Sequence, residues 1–387
     1  MKKIICFIAL ALAAAGCIYP FQAEFAGETP ERLVVSGDIL IGEQTRINLG
    51  YVFPIGTYKS TMRKNVPDAT VTVENDRGQV FKGVRKAGGL HIIDTSNAPE
   101  DTRYRLYIKF KDGKEYATPW SGVYQAPEIT DLSYTTDGSN IHLFISLDGA
   151  DSLWNFRWDY TETWEYHAWF VPELMFVPGL PSPDNQNPAK IFRDPNPEED
   201  YYYCWNSREN VEPCLASAEG KSDNIVSDDN FLTIPCSDER LMVLYSIEVT
   251  ARGMSSAGRA YLNHQSVISN ISGDLFQPVP SEMPGNVTSL DNPDEMTIGY
   301  VETCKRTSRR LFVSGVYHIP FDPYLLLFHP EPDEDGNFDL DNLFVNHSPV
   351  FGPRSLNGAL WGSKRCTDCR AWGGTKTKPE WWPNDHK

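Results

Sequence analysis

The chain has 387 residues, 41% hydrophobic and 12% aromatic, a composition that excludes a disordered polymer and leads us to expect two domains. Its 28 glycines and 28 prolines favour short elements joined by turns over long helices. A formal charge of −17 repels phosphate backbones, so nucleic acid is excluded as a partner.

Lys2 and Lys3 open a short apolar run, Ile4 to Ala15, and Ala14-Ala15-Gly16 then precede Cys17. The run is too short to cross ~30 Å of hydrocarbon. Its small-residue exit predicts a leader over residues 1–16 that is cleaved. The cysteine directly after it resembles a bacterial lipobox, in which Cys17 becomes the lipid-modified first residue; the alternative is an ordinary secretory signal with an incidental cysteine. A diacylglyceryl thioether plus an N-acyl chain such as palmitate exceeds the two signals that stable anchoring needs. Ile18, in place of an acidic residue, is compatible with export to the outer membrane, and residues 17–29 read as lipidated cysteine and tether. Loss of Lys2 and Lys3 takes the charge from −17 to −19, so the anchor and not electrostatics is expected to hold the body at the membrane. The expected place is the outer membrane, with the cell surface favoured over the periplasmic face.

Residues 30–125 read as an N-terminal β-sandwich domain. ERLVVSGDILI and TRINLGYVF are strand-like runs divided at Gly42-Glu43. ATVTVENDRGQVFKGV alternates on both sides of Asp76-Arg77-Gly78, and YRLYIKFKDGKEYAT does so around Asp112-Gly113. Strand pairs with Asx/Gly turns at this spacing predict an immunoglobulin-like β-sandwich, and the stretch VPDATVTVENDRGQ resembles the edge of transthyretin-like modules.

Residues 126–387 read as a second β-rich, sandwich-like domain with long loops and a short helical insertion. From Trp154 the even positions are Trp, Phe, Trp, Tyr, Glu, Trp and Tyr, while the odd positions from Asn155 are polar or charged. Period two assigns a strand with an aromatic inner face. Thirteen straight residues would run ~43 Å, so a bulge or bend is expected within it. Glu162 shares the aromatic face and must either sit at that bend or meet a cation such as an arginine of a neighbouring strand. Residues 171–200 carry seven prolines and form a long irregular excursion. LMVLYSIEVT reads as a central strand. Ser255 or Ser256 caps a helix that shows Ala260, Tyr261, His264, Val267 and Ile268 on one face. GYVETCKRTSRRLFVSGVY reads as a hairpin turning at Arg306 to Ser308, followed by a loop-rich tail from Tyr324.

Six cysteines follow Cys17: Cys204, Cys214, Cys236, Cys304, Cys366 and Cys369. In an oxidising envelope they are disulfide candidates, with the pairing open. Cys366 and Cys369 form one C-x-x-C, for which a zinc clip or redox role is the lesser reading because it sits in a glycine-rich tail. The acidic segment 331–342 places Asp333, Asp335, Asn337 and Asp339 around Gly336, as a calcium loop does. Pro332 and Asn342 break that pattern, and a solvated acidic turn is the plainer expectation. HExxH, G-x-S-x-G, P-loop and GxGxxG motifs are absent from the sequence, and no cofactor or enzymatic activity is expected.

WDYTETWEY, YYYCW, LMVLYSIEV, GDLFQPVPSEMPGNV, GYVETC, RRLFV and CTDCRAWGGTKTKPEWW, in that order, resemble a lipoprotein family of Bacteroidota catalogued as domain of unknown function 4249. The resemblance implies a lipoprotein that acts beside an outer-membrane TonB-dependent transporter, in substrate capture or in stabilising the complex. It also implies that Cys204-Trp205, Gly285-Asn286, Gly299-Tyr300, Cys366, Asp368-Cys369-Arg370, Gly373-Gly374 and Lys378-Pro379 are family-typical, with Cys214, Cys236 and Cys304 outside the pattern. The rival expectation is a surface lipoprotein that binds glycan or peptide on its own. A carboxylate pair facing a cleft would instead indicate a hydrolase.

Overall fold

The turn at Asp76-Arg77-Gly78 forms from its own side chains. The Asn75 amide oxygen accepts the N–H groups of Arg77 (3.1 Å) and Gln79 (2.8 Å), and Gly78 takes φ +84°, where a Cβ would be strained. The strands on either side, Ala69–Asn75 and Val80–Arg85, pair antiparallel as the alternation predicts. The structure is a computed structural model and describes residues 32–52, 68–150, 153–172, 175–178, 190–193, 201–270, 283–352 and 358–383. The expected leader and tether, Cys17 and most of the proline-rich excursion lie outside the described residues.

Eight strands hydrogen-bond in the order Leu33–Ser36, Gln44–Tyr51, Leu90–Asp94, Val80–Arg85, Ala69–Asn75, Tyr104–Phe110, Glu115–Ala117 and Thr288–Ser289. The array folds over a single core, in which Ile47 and Leu49 meet Val71, Val73, Leu106 and Ile108. That is the sandwich-like packing expected of sheets with one apolar face.

The second core lies between two more sheets. Glu128–Thr136, Asn140–Asp148 and Ile225–Pro235 form the first, with Asn140–Asp148 central. Its Ile141, Leu143, Ile145 and Leu147 pack with Phe156, Trp158, Trp164 and Tyr166 of the strand Asn155–His167. Leu244–Gly253 is central as expected, between Asn155–His167 and Arg306–Ser314. The chain is mainly β and sandwich-like.

Three expectations need correction. Asn155–His167 contains no bulge: it runs unbroken in register with Leu244–Gly253 from Phe156↔Gly253 to Glu165↔Leu244. Its length is used by changing partners on the other edge, with Cys214–Ser217 along its first part and Tyr203–Glu209 along its last. The expected hairpin at Arg306 to Ser308 does not form. Thr303–Cys304 instead lies parallel to Ile39–Leu40, while Arg306–Ser314 pairs with Leu244–Gly253. The helix is Ser256–Asn270, capped by the Ser255 hydroxyl accepting from Gly258 N–H at 2.8 Å, but its buried positions among the described residues are Gly258 and Tyr261, with Ala260 and Val267 exposed. Its packing partners at that end, Tyr300 and Glu302, are polar and select a different face.

Within the proline-rich stretch Met175–Pro178 and Lys190–Arg193 pair antiparallel. The segment around Gly285 and Gly299 returns to the first sheet: Thr288–Ser289 adds to its edge and Ile298 bridges Val34. A Cβ on Gly299 would lie 1.8 Å from the Val35 carbonyl oxygen, and one on Gly285 would lie 1.9 Å from that of Gly299. Only glycine permits backbones so close, which gives these two residues a packing role. A further small sheet, Leu327–Phe328, Leu360–Ser363 and His347–Phe351, carries its own cluster of Leu343, Ala359 and Trp361.

Candidate functional site

The polar face of Asn155–His167 is met at one end by Asp38 and at the other by Trp382, which the alternation alone does not reveal. At one end Arg157 stands directly opposite Arg252 on the neighbouring strand. Like charges in a cross-strand pair repel, and Asp38, reaching from the first sandwich, sits between them. Its Oδ2 lies 2.7 Å from Arg252 Nη1 and 3.4 Å from Arg157 Nη1, and Asp159 takes the other Arg252 nitrogen at 2.6 Å. The Asp38 Oδ1 accepts the Glu302 N–H at 3.1 Å, and Glu302 Oε1 accepts from the Ser255 N–H (3.0 Å) and hydroxyl (2.6 Å). Asp38 and Glu302 are buried. The cavity here is about 10 Å³, room for roughly one water and far below the size of a ligand pocket. The cluster therefore fits a clasp between lobes better than a ligand site.

Burial pushes the Glu302 carboxyl above its ordinary range against the two Ser255 bonds, and the Asp38 carboxylate adds to the rise. A raised carboxyl contributes stability below its unfolded pKa and loses it as pH climbs through the folded value. Glu302→Gln, which keeps the acceptor for Ser255, is therefore expected to melt higher than wild type by on the order of 2–4 °C at about pH 8. The gain should shrink to nothing below about pH 4, under the unperturbed value of glutamate. Thermal melts across that range check it, and a difference independent of pH would contradict it.

In the middle of the inner face Glu162 is 1% exposed. Its Oε2 receives Arg208 Nε of the adjoining strand at 2.6 Å, and its Oε1 receives Arg240 Nη1 at 2.5 Å and the Tyr245 hydroxyl at 2.9 Å. Of the two expectations for this residue, the cation from a neighbouring strand is the one realised. Burial and then the Glu162 charge push the Tyr245 phenol upward, so it stays a donor. Trp158 and Trp164 are 1% and 6% exposed, which makes the aromatic stripe core and removes it as a binding platform.

At the other end the tail closes over the sheet. Cys204 and Cys369 form a disulfide, Trp205 and Thr375 exchange two backbone hydrogen bonds, and Trp372 stacks on Tyr166 at 5.5 Å. Trp382 donates its indole N–H to the buried Glu165 carboxylate at 3.1 Å. A Cβ on Gly374 would lie 2.2 Å from the Tyr166 hydroxyl oxygen. Of the six disulfide candidates only Cys204 and Cys369 are joined among the described residues, while Cys214, Cys236, Cys304 and Cys366 are free thiols. The C-x-x-C is thus not internally bridged. Burial, with Asp159 and Asp229 behind it, pushes the Cys214 thiol up to about 12, and burial raises Cys304 as well; thiols held protonated are poor nucleophiles.

The acidic segment is a closed turn. Asp333 Oδ1 accepts the N–H groups of Asp335 (3.1 Å) and Asn337 (2.7 Å), and Asp339 caps the helix Leu340–Asn346 by accepting from Asn342 N–H at 3.1 Å. These are the bonds of an Asx turn and a helix cap. Among the described residues no group of three or more His, Cys, Asp and Glu side chains is arranged to hold a metal ion.

One feature escaped the sequence reading. Within ten residues Ile319, Phe321, Tyr324, Leu325, Leu326 and Phe328 are 56%, 41%, 63%, 80%, 38% and 37% exposed. The segment is held in place: Asp322 accepts the Tyr324 N–H at 3.0 Å, Phe321 packs on Trp169 at 5.1 Å and Tyr324 on Phe170 at 5.4 Å. The available signal was Tyr324-Leu325-Leu326-Leu327-Phe328, five apolar residues in a row with no alternation, between Pro323 and Pro330.

Two β lobes of sandwich-like packing, clasped through Asp38 and closed by a tail disulfide, define a mainly β protein with an apolar outer platform. The chain belongs to the family described as domain of unknown function (DUF4249), whose model matches residues 18–310. The match ends inside Arg306–Ser314, so the platform and Cys369 lie beyond it. No curated protein matches the chain. Among solved structures it is similar to trypsin-activated alpha-2-macroglobulin from Escherichia coli, at 15% identity and a TM-score of 0.20, over 59% of this chain and 15% of that one. Nothing about the present chain follows from so distant a likeness.

Proposed function

We propose that this protein is a non-enzymatic lipoprotein of the outer membrane, anchored through Cys17, that assists a TonB-dependent transporter by capturing its substrate or stabilising its complex. The observation that carries the reading is the exposed run Ile319–Phe328, because soluble proteins seldom leave so much contiguous apolar surface without a macromolecule to cover it. Family membership, the small residues before Cys17 and the acidic body support it. A stand-alone binder of glycan or peptide is the second reading, favoured by the exposed rings of Tyr324 and Trp381.

Purification from the native envelope in mild detergent, with mass spectrometry of the mature N-terminus, tests the first reading. The expected product begins at an acylated Cys17 and brings a transporter with it, and Cys17→Ala releases the protein from the membrane fraction. A free monomer with no transporter band, or an unmodified N-terminus, counts against it. Quenching of tryptophan or tyrosine fluorescence by members of a glycan panel would favour the second reading instead.

A further inference from the structure

The platform has a charged border. From Leu311 to Pro353 the chain contains no lysine or arginine, yet it carries Asp322, Glu331, Asp333, Glu334, Asp335, Asp339 and Asp341. Glu331, Glu334 and Asp335 are exposed and form no ion pair among the described residues. The acidic turn is fixed beside the apolar run: Phe338 packs against the cluster of Leu343, Ala359 and Trp361, and Trp361 is the register partner of Phe328. Apolar surface and unneutralised carboxylates thus share one edge of the molecule, tied to the same small sheet.

Resting on the accessory role proposed above, we infer that Ile319–Phe328 and the acidic turn Glu331–Asp339 form one docking surface for a partner protein with an apolar pocket rimmed by lysine and arginine. Three occupants compete for such a surface. An anionic bilayer is repelled by the carboxylate border. A second copy in a two-fold contact would bring the same border against itself, like charge on like. A basic-rimmed pocket satisfies both parts, burying the apolar run while pairing its rim. The 3₁₀ turn Pro323–Leu326 holds Leu325 outward before binding, so little conformational freedom is lost on docking.

The test uses full-length protein in its native envelope, purified with the transporter. Leu325→Glu is expected to lower transporter recovery about tenfold, as loss of a central anchor does. Reversal of Glu331, Glu334 and Asp335 to lysine should lower it severalfold and flatten its salt dependence. Val211→Glu, at a site already 98% exposed on another loop, should leave recovery unchanged. Normal recovery with Leu325→Glu overturns the docking surface while leaving the accessory role standing. Should wild type recover no transporter, the accessory role falls, and a photo-crosslinker at position 325 decides the surface. An adduct formed at 325, absent at 211 and lost on charge reversal upholds it for another protein. No adduct, an adduct of twice the chain mass, or binding of Cys17→Ala protein to phosphatidylglycerol vesicles through Leu325 overturns it.

Discussion

Arg240→Leu is expected to destabilise the protein by about 3–5 kcal/mol, the cost of leaving a buried charge without its partner. Glu162 brings a carboxylate into an aromatic core at 1% exposure, and Arg240, with its side chain 11% exposed, is its deepest cation. Asp238 in turn orients the guanidinium, accepting from its Nε at 2.9 Å and Nη2 at 2.7 Å. Arg208 touches the same carboxylate at 2.6 Å, but its side chain is 54% exposed, so Arg208→Ala is expected to cost about 1 kcal/mol or less. Urea unfolding with unchanged slope should report this order as a difference in midpoint. The double change Glu162→Met and Arg240→Met should recover much of the loss, since an apolar pair of similar volume replaces an ion pair at little cost. Equal effects at Arg240 and Arg208 would refute the account.

Removing the disulfide with Cys204→Ser and Cys369→Ser is the other large effect. The bond closes a loop with a sequence separation of 165, for which chain entropy predicts about 5 kcal/mol, at the top of the usual 2–5 kcal/mol span. The tail should still dock in the variant, because the Trp205–Thr375 backbone pair and the Tyr166 hydroxyl bond to the Cys369 carbonyl at 2.7 Å remain. Both cysteines must be changed, since Cys204→Ser alone leaves Cys369 free to bond with Cys366. Reductant should lower the denaturation midpoint of wild type and leave the double variant unmoved. Cys366→Ser, replacing a buried thiol 3.2 Å from the Ser363 hydroxyl, is expected to cost about 1 kcal/mol. A wild type indifferent to reductant, or a peptide map linking Cys366 to Cys369, would contradict this assignment.

Local chemistry was readable where it acts over a few residues. The turns at Gly78 and Gly113, both at positive φ, follow from Asx/Gly pairs between alternating runs. A serine cap at Ser255 or Ser256, realised by Ser255, and the aromatic inner face of Asn155–His167 were equally plain. Even the choice at Glu162 between a bend and a cation could be stated, since one carboxylate in a row of rings has few tolerable outcomes. Which arginines would come was not legible, because Arg240 is 78 residues away and belongs to no strand.

The sequence by itself determined the paired strands around the turns at Gly78 and Gly113, the aromatic inner face of Asn155–His167, and the acidity of the body. These depend on backbone preference and on the two-residue period of a strand, which neighbours along the chain share. Tertiary structure alone decided that Cys369 bonds Cys204 and not Cys366, that Thr303–Cys304 returns to the first sandwich, and that Asp38 stands between two arginines of the second. It alone left the run at Leu325 uncovered. Such outcomes depend on which distant surfaces fit once everything else is packed, and no stretch of a few residues encodes that competition.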